Sequence, residues 1–308
     1  MKAKLIFHIA LALALAEATS GAGSIGDAAP ALTVEHWIKG PPVKVGPGGN
    51  IFVVEFWATW CGPCKRTIPH LTEVQKRFAN RGVVVIGVSD EKLATVQPFV
   101  AAQGESMAYR VAVDSSKRSF QNWHTAFGGS GIPHAFVVNT NGMIMWHGFP
   151  NEELDRTLEK LLAGTFDLER AKNREAGDRL VVQYTAQVSK PNGAAQAAPL
   201  GERILADYSQ DWRIPNHLAK AIITEPATKS RDFPLALRAT TKATEMTRRR
   251  SSDALEMHAR AQFANGSKPE AIQTLKDALL VCKDSGDRSD LEKLLSLFEK
   301  NAAKTAGK

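Results

Sequence analysis

The sequence predicts an α/β domain built on a βαβ unit, followed by an all-α domain. Three observations carry this. From Ala31 to about Gly164 short β-rich runs alternate with helical ones, as in an α/β layer fold. After Thr165 the β signal nearly vanishes, and from about residue 200 onward helical spacing dominates. A length of 308 residues leaves room for two domains.

Taken in order, Ile51 to Trp57 (IFVVEFW) and Val83 to Ser89 (VVVIGVS) read as buried strands. Between them Cys64 to Ala79 reads as a helix, because Ile68, Leu71, Val74 and Phe78 recur at helical spacing. A second helix, Leu93 to Gln103, leads to a strand around Arg110 to Val113, and a third, Lys117 to Phe127, leads to the strand Ala135 to Asn139. The turn Asn141-Gly142 joins that strand to Met143 to His147 as a hairpin, since Asn-Gly accepts the left-handed backbone a two-residue turn needs. Asn151 to Leu162 closes this domain, residues 31–164, as a helix.

Residues 165–199 are expected to be a connector: a polar helix, Leu168 to about Val188, then "KPNGAAQAAP" (190 to 199), whose Pro, Gly and Ala content suits a linker. Residues 200–308 read as helices throughout: His217 to Thr224, Phe233 to Thr247, Asp253 to Ala264, Pro269 to Lys283 and Leu291 to Ala302. Ala236, Thr240 and Ala243 are matched 35 residues later by Ala271, Leu275 and Ala278, close to the period of tetratricopeptide repeats. The likeness is loose, with Gln262 where an aromatic is usual, and supports one or two degenerate repeats at most.

The net charge of +7 lies mostly in the second half, where 24 basic face 19 acidic side chains, against 15 and 13 in residues 1–164. Arg248-Arg249-Arg250 is its densest run, suited to an acidic partner or equally to a solvated helix end. No aromatic interleaving or zinc spacing points to nucleic acid, and none is expected as a partner. Residues 1–20 read as a signal peptide: Lys2 and Lys4 precede the apolar run Leu5 to Ala16, which is too short to span a bilayer, and Ala16-Glu17-Ala18 offers a cleavage site. The chain is therefore expected to be exported. Three cysteines cannot form a disulfide framework for such a chain, so its core must come from packing, with Cys282 a small buried hydrophobe.

The other two cysteines lie in "VVEFWATWCGPCKRTIPHL", residues 53 to 71. At the mouth of a helix that follows a buried strand, Cys61 meets unpaired backbone N–H groups and the positive end of the helix dipole, which favour its thiolate. Cys64, one turn inward, is placed to resolve a mixed disulfide. Lys65 and Arg66 add positive charge, and Gly62-Pro63 forms the turn and starts the helix with a residue that needs no N–H partner. Zinc is the chemical rival, but it wants four ligands, and only His70 and His134 stand ready to complete a site, so no metal is expected.

"EFWATWCGPCKRTIP" resembles the active-site segment of thioredoxin-like proteins, and with the export signal it looks most like the TlpA/ResA group of exported thiol-disulfide reductases. The likeness covers about residues 31 to 164 and implies the thioredoxin-like fold with a mixed central sheet. It makes Cys61 the attacking thiol, Cys64 the resolving thiol, Trp60 the shielding ring and Pro69 the helix-kinking proline. It also makes Glu55, six residues before Cys61, a buried carboxylate that moves the resolving proton. A Glu between apolar neighbours in a strand needs such a reason, and burial would raise its pKa. In "GGSGIPHAFVV" the resemblance places a cis-proline loop at Ile132-Pro133, whose backbone pairs with a substrate chain like an added strand.

Gly-Pro between the cysteines and Ile before the proline look like the reducing members. His134 departs from the pattern, and an imidazolium there would stabilise the Cys61 thiolate and make the couple more oxidising. The resemblance implies no cofactor beyond the Cys61–Cys64 disulfide, a protein disulfide as substrate, a membrane or soluble thiol electron donor, and a periplasmic or secreted location. The C-terminal helices are expected to hold a peptide or protein partner. Two alternatives stay open: a disulfide oxidase or isomerase, and a binding scaffold on which the first domain merely docks.

Overall fold

The computed structural model describes residues 23–306; the expected signal peptide, residues 1–20, lies outside them. The chain divides into two compact units, one ending at Phe166 and the other beginning at Asp167, and each is taken by itself.

The first unit is a six-stranded sheet of β1 (His36–Lys39), β2 (Ile51–Trp57), β3 (Val83–Ser89), β4 (Arg110–Val113), β5 (His134–Val138) and β6 (Ile144–Gly148), in the order β1-β4-β3-β2-β5-β6. The three central strands β2, β3 and β4 are parallel, and β1, β5 and β6 join antiparallel, so the sheet is mixed. Every residue of β2 and β3 is buried, which is why both read as unbroken apolar runs rather than alternating ones. Their side chains still divide by parity. Val53 and Trp57 meet Ile68, Leu71, Val74 and Phe78 of α1 (Gly62–Phe78) on one face, while Phe52, Val54 and Phe56 meet Trp123, Phe127 and Phe136 on the other. The helices α2 (Leu93–Gln103) and α4 (Glu152–Leu162) also follow their sequence patterns, the latter capped by the Asn151 side chain, which accepts from the Glu153 N–H.

Two elements differ from expectation. The strand β1 carries no periodic signal in its four residues; it exists because β4 offers an edge, and its register shifts between Trp37 and Lys39. The expected helix over 117–127 is a short α3 (Arg118–Phe120) continued by a wider π-helical turn over Gln121–Thr125, in which the Ala126 N–H donates to the Gln121 carbonyl at 3.0 Å. Apolar spacing alone does not distinguish the two backbone patterns.

The second unit is helical: α5 (Leu168–Val188), α6 (Ala194–Asp207), α7 (Arg213–Ile223), α8 (Phe233–Met246), α9 (Ser252–Ala264), α10 (Lys268–Val281) and α11 (Ser285–Ala306). The expected linker over 190–199 is corrected here, because residues 194–199 open α6, which packs through Ala197, Gly201, Ile204 and Leu205. Its glycine serves close approach rather than flexibility. A Cβ at Gly201 would stand 2.5 Å from a Leu235 methyl and 3.2 Å from the Tyr184 ring.

The residues of the 35-residue echo, Ala236, Thr240, Ala243, Ala271, Leu275 and Ala278, are all fully buried where α8, α9 and α10 pack in succession. Cys282 is buried beside Leu275, Ala278 and Leu291, and its thiol lies 3.4 Å from the Asp284 carbonyl oxygen. Arg248 and Arg249 take the left-handed backbone that ends α8, and Arg249 pairs with Asp277 at 2.7 Å. No helix among the described residues is long and apolar enough to cross a membrane.

Candidate active site

The strand β2 delivers the chain to a tight turn, and Glu91 pins that turn. Its carboxylate accepts from the Thr59 N–H at 2.6 Å and from the Thr59 hydroxyl at 2.8 Å. Cys61 is then the N-cap of α1: its Sγ accepts from the Cys64 N–H at 3.1 Å, so a sulfur takes the place usually held by a Ser or Asp oxygen. Gly62 and Pro63 open the helix, no acidic residue lies in its first turn, and Pro69 sits inside it. Cys61 and Cys64 are joined as a disulfide, with Cys64 fully buried and Cys61 nearly so. Trp60 beside them is 71% exposed, an unusual position for an indole and one open to a visiting chain.

Across from the pair, Ile132-Pro133 is a cis peptide, and the Ile132 carbonyl oxygen lies 3.6 Å from Cys61 Sγ. The structure therefore brings together Cys61, Cys64 and Ile132, with Gly62 and Pro63 in the turn and Pro133 and His134 leading into β5.

Below them Glu55 is fully buried, opposite Gly87 of β3 and Ala135 of β5. Its pKa is pushed up to about 8, because burial disfavours the carboxylate more strongly than the Thr67 hydrogen bond favours it. The Thr67 hydroxyl lies 3.1 Å from Glu55 Oε1 and 2.9 Å from the Cys64 carbonyl oxygen, so a single side chain ties the carboxyl to the inner cysteine. Thr67 is a site residue that sequence reasoning missed. Its position one turn after Cys64 on the buried face of α1 was the available signal.

His134 requires a correction. Its ring is packed with Phe136, His124 and His147, and burial followed by the charges of His147 and His124 pushes its pKa down to about 3. It is a neutral imidazole, sharing a hydrogen bond of 3.1 Å between its Nε2 and His147 Nδ1, and not an imidazolium beside Cys61. His124 stacks on Phe120, and its Nε2 donates to the Gly131 carbonyl at 2.9 Å, bracing the loop before Pro133. These partners lie 10 and 13 residues from His134 with no local pattern to join them, so the sequence around His134 does not point to them. His70 faces α4 instead, bonded to Asp155 at 2.6 Å, and that bond raises its pKa. The two histidines weighed for zinc are thus bonded to other partners, and among the described residues no group of three or more His, Cys, Asp or Glu is placed to hold a metal ion.

One expected result follows for His134. In side-chain nitrogen NMR its resonances should remain those of a neutral imidazole at pH 5, well below the ordinary value of 6.5. A titration midpoint near 6.5 would show the ring to be solvated.

The model of the AhpC/TSA family matches residues 25–147. Protein FixW of Rhizobium leguminosarum is 28% identical over 133 residues, which are 41% of this chain and 60% of that protein. The thiol-disulfide oxidoreductase ResA of Bacillus subtilis is 30% identical over 100 residues, 32% of this chain and 51% of that protein. The match to FixW thus falls short of two thirds of that protein's length, and the match to this ResA spans about half of it. A crystal structure of a thiol:disulfide interchange protein of the thioredoxin family from Chlorobium tepidum TLS is 28% identical, covers 46% of this chain and 99% of its own, and superposes with a TM-score of 0.38.

Proposed function

We propose, from a chain whose residues 25–147 are a thioredoxin-like domain of the AhpC/TSA family, that the protein is a thiol-disulfide oxidoreductase that reduces protein disulfides. The observation that carries this is the Cys61–Cys64 pair at the N-cap of α1, with the inner cysteine tied through Thr67 to a buried glutamate.

In the reduced protein the Cys61 thiolate, favoured by the helix N-terminus and the Cys64 N–H, attacks one sulfur of a substrate disulfide. A mixed disulfide forms, and the other substrate sulfur leaves as a thiolate. Cys64 then gives its proton to the Glu55 carboxylate and attacks Cys61 Sγ, which releases the second substrate thiolate and closes the Cys61–Cys64 disulfide. Two electrons pass to the substrate, which takes up two protons as its thiolates become thiols. The dithiol is restored by a second protein that supplies a thiol pair, from the membrane or in solution. The disulfide is the whole redox group, and no bound cofactor enters this scheme. The Ile132 backbone, beside Cys61 Sγ, would pair with the substrate chain with little regard for its side chains.

The charged segment Lys2 to Lys4 followed by Leu5 to Ala16 supports export, to the periplasm or beyond. The helical unit, with its tetratricopeptide-like echo, would hold a peptide or protein partner. The reducing direction is supported by Gly62-Pro63 and by the neutral His134, which leaves Cys61 without a nearby imidazolium to stabilise its thiolate.

The test is the reduction potential of the Cys61/Cys64 couple in a Cys282→Ser background, by equilibration against dithiothreitol. A value near or below about −250 mV is expected. One between about −120 and −180 mV would make the protein an oxidase or isomerase instead.

A further inference from the structure

Five buried side-chain polar atoms have no hydrogen-bond partner among the described residues, and three of them, Glu55 Oε2, Trp57 Nε1 and Tyr109 Oη, belong to the first unit. Buried polar atoms are nearly always paired, so three around one strand position call for a shared explanation. That position is Gly87, which lies directly opposite Glu55 in the β2–β3 register. A Cβ there would stand 3.0 Å from Trp57 Nε1 and 3.1 Å from the Tyr109 ring. The glycine thus lets an indole and a phenol lie against the strand on the same face as the glutamate. All three polar side chains sit within the core that α1 covers, where Cys64 is also buried.

We propose that Trp57 and Tyr109 form a donor pair held for the ionised state of Glu55, and that Tyr109 is a positioning residue that sets how readily Glu55 takes the Cys64 proton. While Glu55 is neutral its second oxygen needs no strong donor. Once it takes charge, an unpaired buried carboxylate oxygen is costly, and an N–H or O–H turned toward it recovers part of that cost. Trp57 Nε1 can only donate, and Tyr109 keeps its proton because burial and the Glu55 charge both oppose its ionisation. The hydrogen bond present on Glu55 is that of the Thr67 hydroxyl, which also bonds the Cys64 carbonyl, and no Lys, Arg or His is among the buried residues of that face. With no cation available, polar donors are the means left to stabilise the charge.

The inference rests on Glu55 acting as acceptor of the Cys64 proton. The experiment follows the Glu55 carboxyl carbon by NMR through a pH titration of the oxidised full-length protein, where neither Cys61 nor Cys64 titrates. In Tyr109→Phe, which keeps the ring, the ionisation constant of Glu55 is expected to fall about tenfold, the worth of one charge-assisted hydrogen bond. Thr67→Val, which removes the hydrogen bond present on Oε1, should move it in the same direction and shows that the readout responds. The pH midpoint of the resolving step, measured from a preformed mixed disulfide, should rise correspondingly, by about one pH unit, in Tyr109→Phe. A titration unchanged in Tyr109→Phe but moved in Thr67→Val overturns the donor-pair assignment and leaves the proton-acceptor reading standing. A resolving step indifferent to Glu55→Gln overturns that reading, whatever Tyr109 does.

Discussion

Cys61→Ser is expected to reduce disulfide-reductase activity by at least about a thousandfold while leaving the fold in place. The two halves of this expectation have separate physical grounds. The serine hydroxyl accepts from the residue 64 N–H as Cys61 Sγ does, and Ser is a favoured N-cap, so α1 keeps its start. A hydroxyl with an ordinary pKa supplies almost no nucleophile, so the first exchange step is lost. Cys64→Ser should behave differently. The first attack still occurs and nothing resolves it, so a mixed disulfide with substrate should accumulate and be visible on a non-reducing gel. An in vivo role that survives Cys61→Ser would favour the scaffold reading, in which the helical unit binds a partner and the dithiol is incidental.

Glu55 should impose a steep pH dependence on stability. Its pKa is 4.5 in the unfolded chain and about 8 in the fold. Below pH 4.5 the carboxyl is neutral in both states and costs nothing. Between the two values the unfolded chain releases the proton and the fold holds it, so stability falls by about 1.4 kcal/mol for each pH unit. The full loss by pH 8 is on the order of 4–5 kcal/mol, an upper figure because buried sites relax around a charge.

The window from pH 6.5 to 8 reads this most cleanly. Below it the depressed pKa of His134 works the other way, costing stability as the pH falls. His70, with its raised pKa, adds a loss of stability with rising pH that a comparison with Glu55→Gln removes. Urea denaturation of the oxidised protein should show Glu55→Gln declining only by the His70 contribution where the native protein declines more steeply, and more stable than it at pH 8. Parallel profiles for the two would mean that the carboxyl is hydrated in the fold.

Much of this molecule is local in origin, and that part was legible. Strands β2 and β3, helix α1 between them, and the helices α8 to α10 follow from spacing within a few residues, because side-chain periods of about 2 and 3.6 are properties of the backbone itself. The two cysteines declare themselves in the same way, as a pair one helical turn apart at a helix start.

The rest depends on partners distant in sequence. β1 needs the free edge of β4, and residues 194–199, which look like a linker, become helix because Gly201 admits Leu235 and Tyr184 from elsewhere in the chain. His134 is held neutral by burial first and then by His147 and His124 folded against it, which no reading of its own neighbours reveals. Around Glu55 the sequence placed an odd carboxylate in an apolar strand with Trp57 on the same face; the fold brought Thr67 to it and set Tyr109 with Trp57 against Gly87, the partner of Glu55 in β3. The sequence by itself therefore determined the elements and the position of the dithiol, whereas tertiary structure decided protonation, because a group's charge depends on solvent exclusion and on the dipoles that surround it in space.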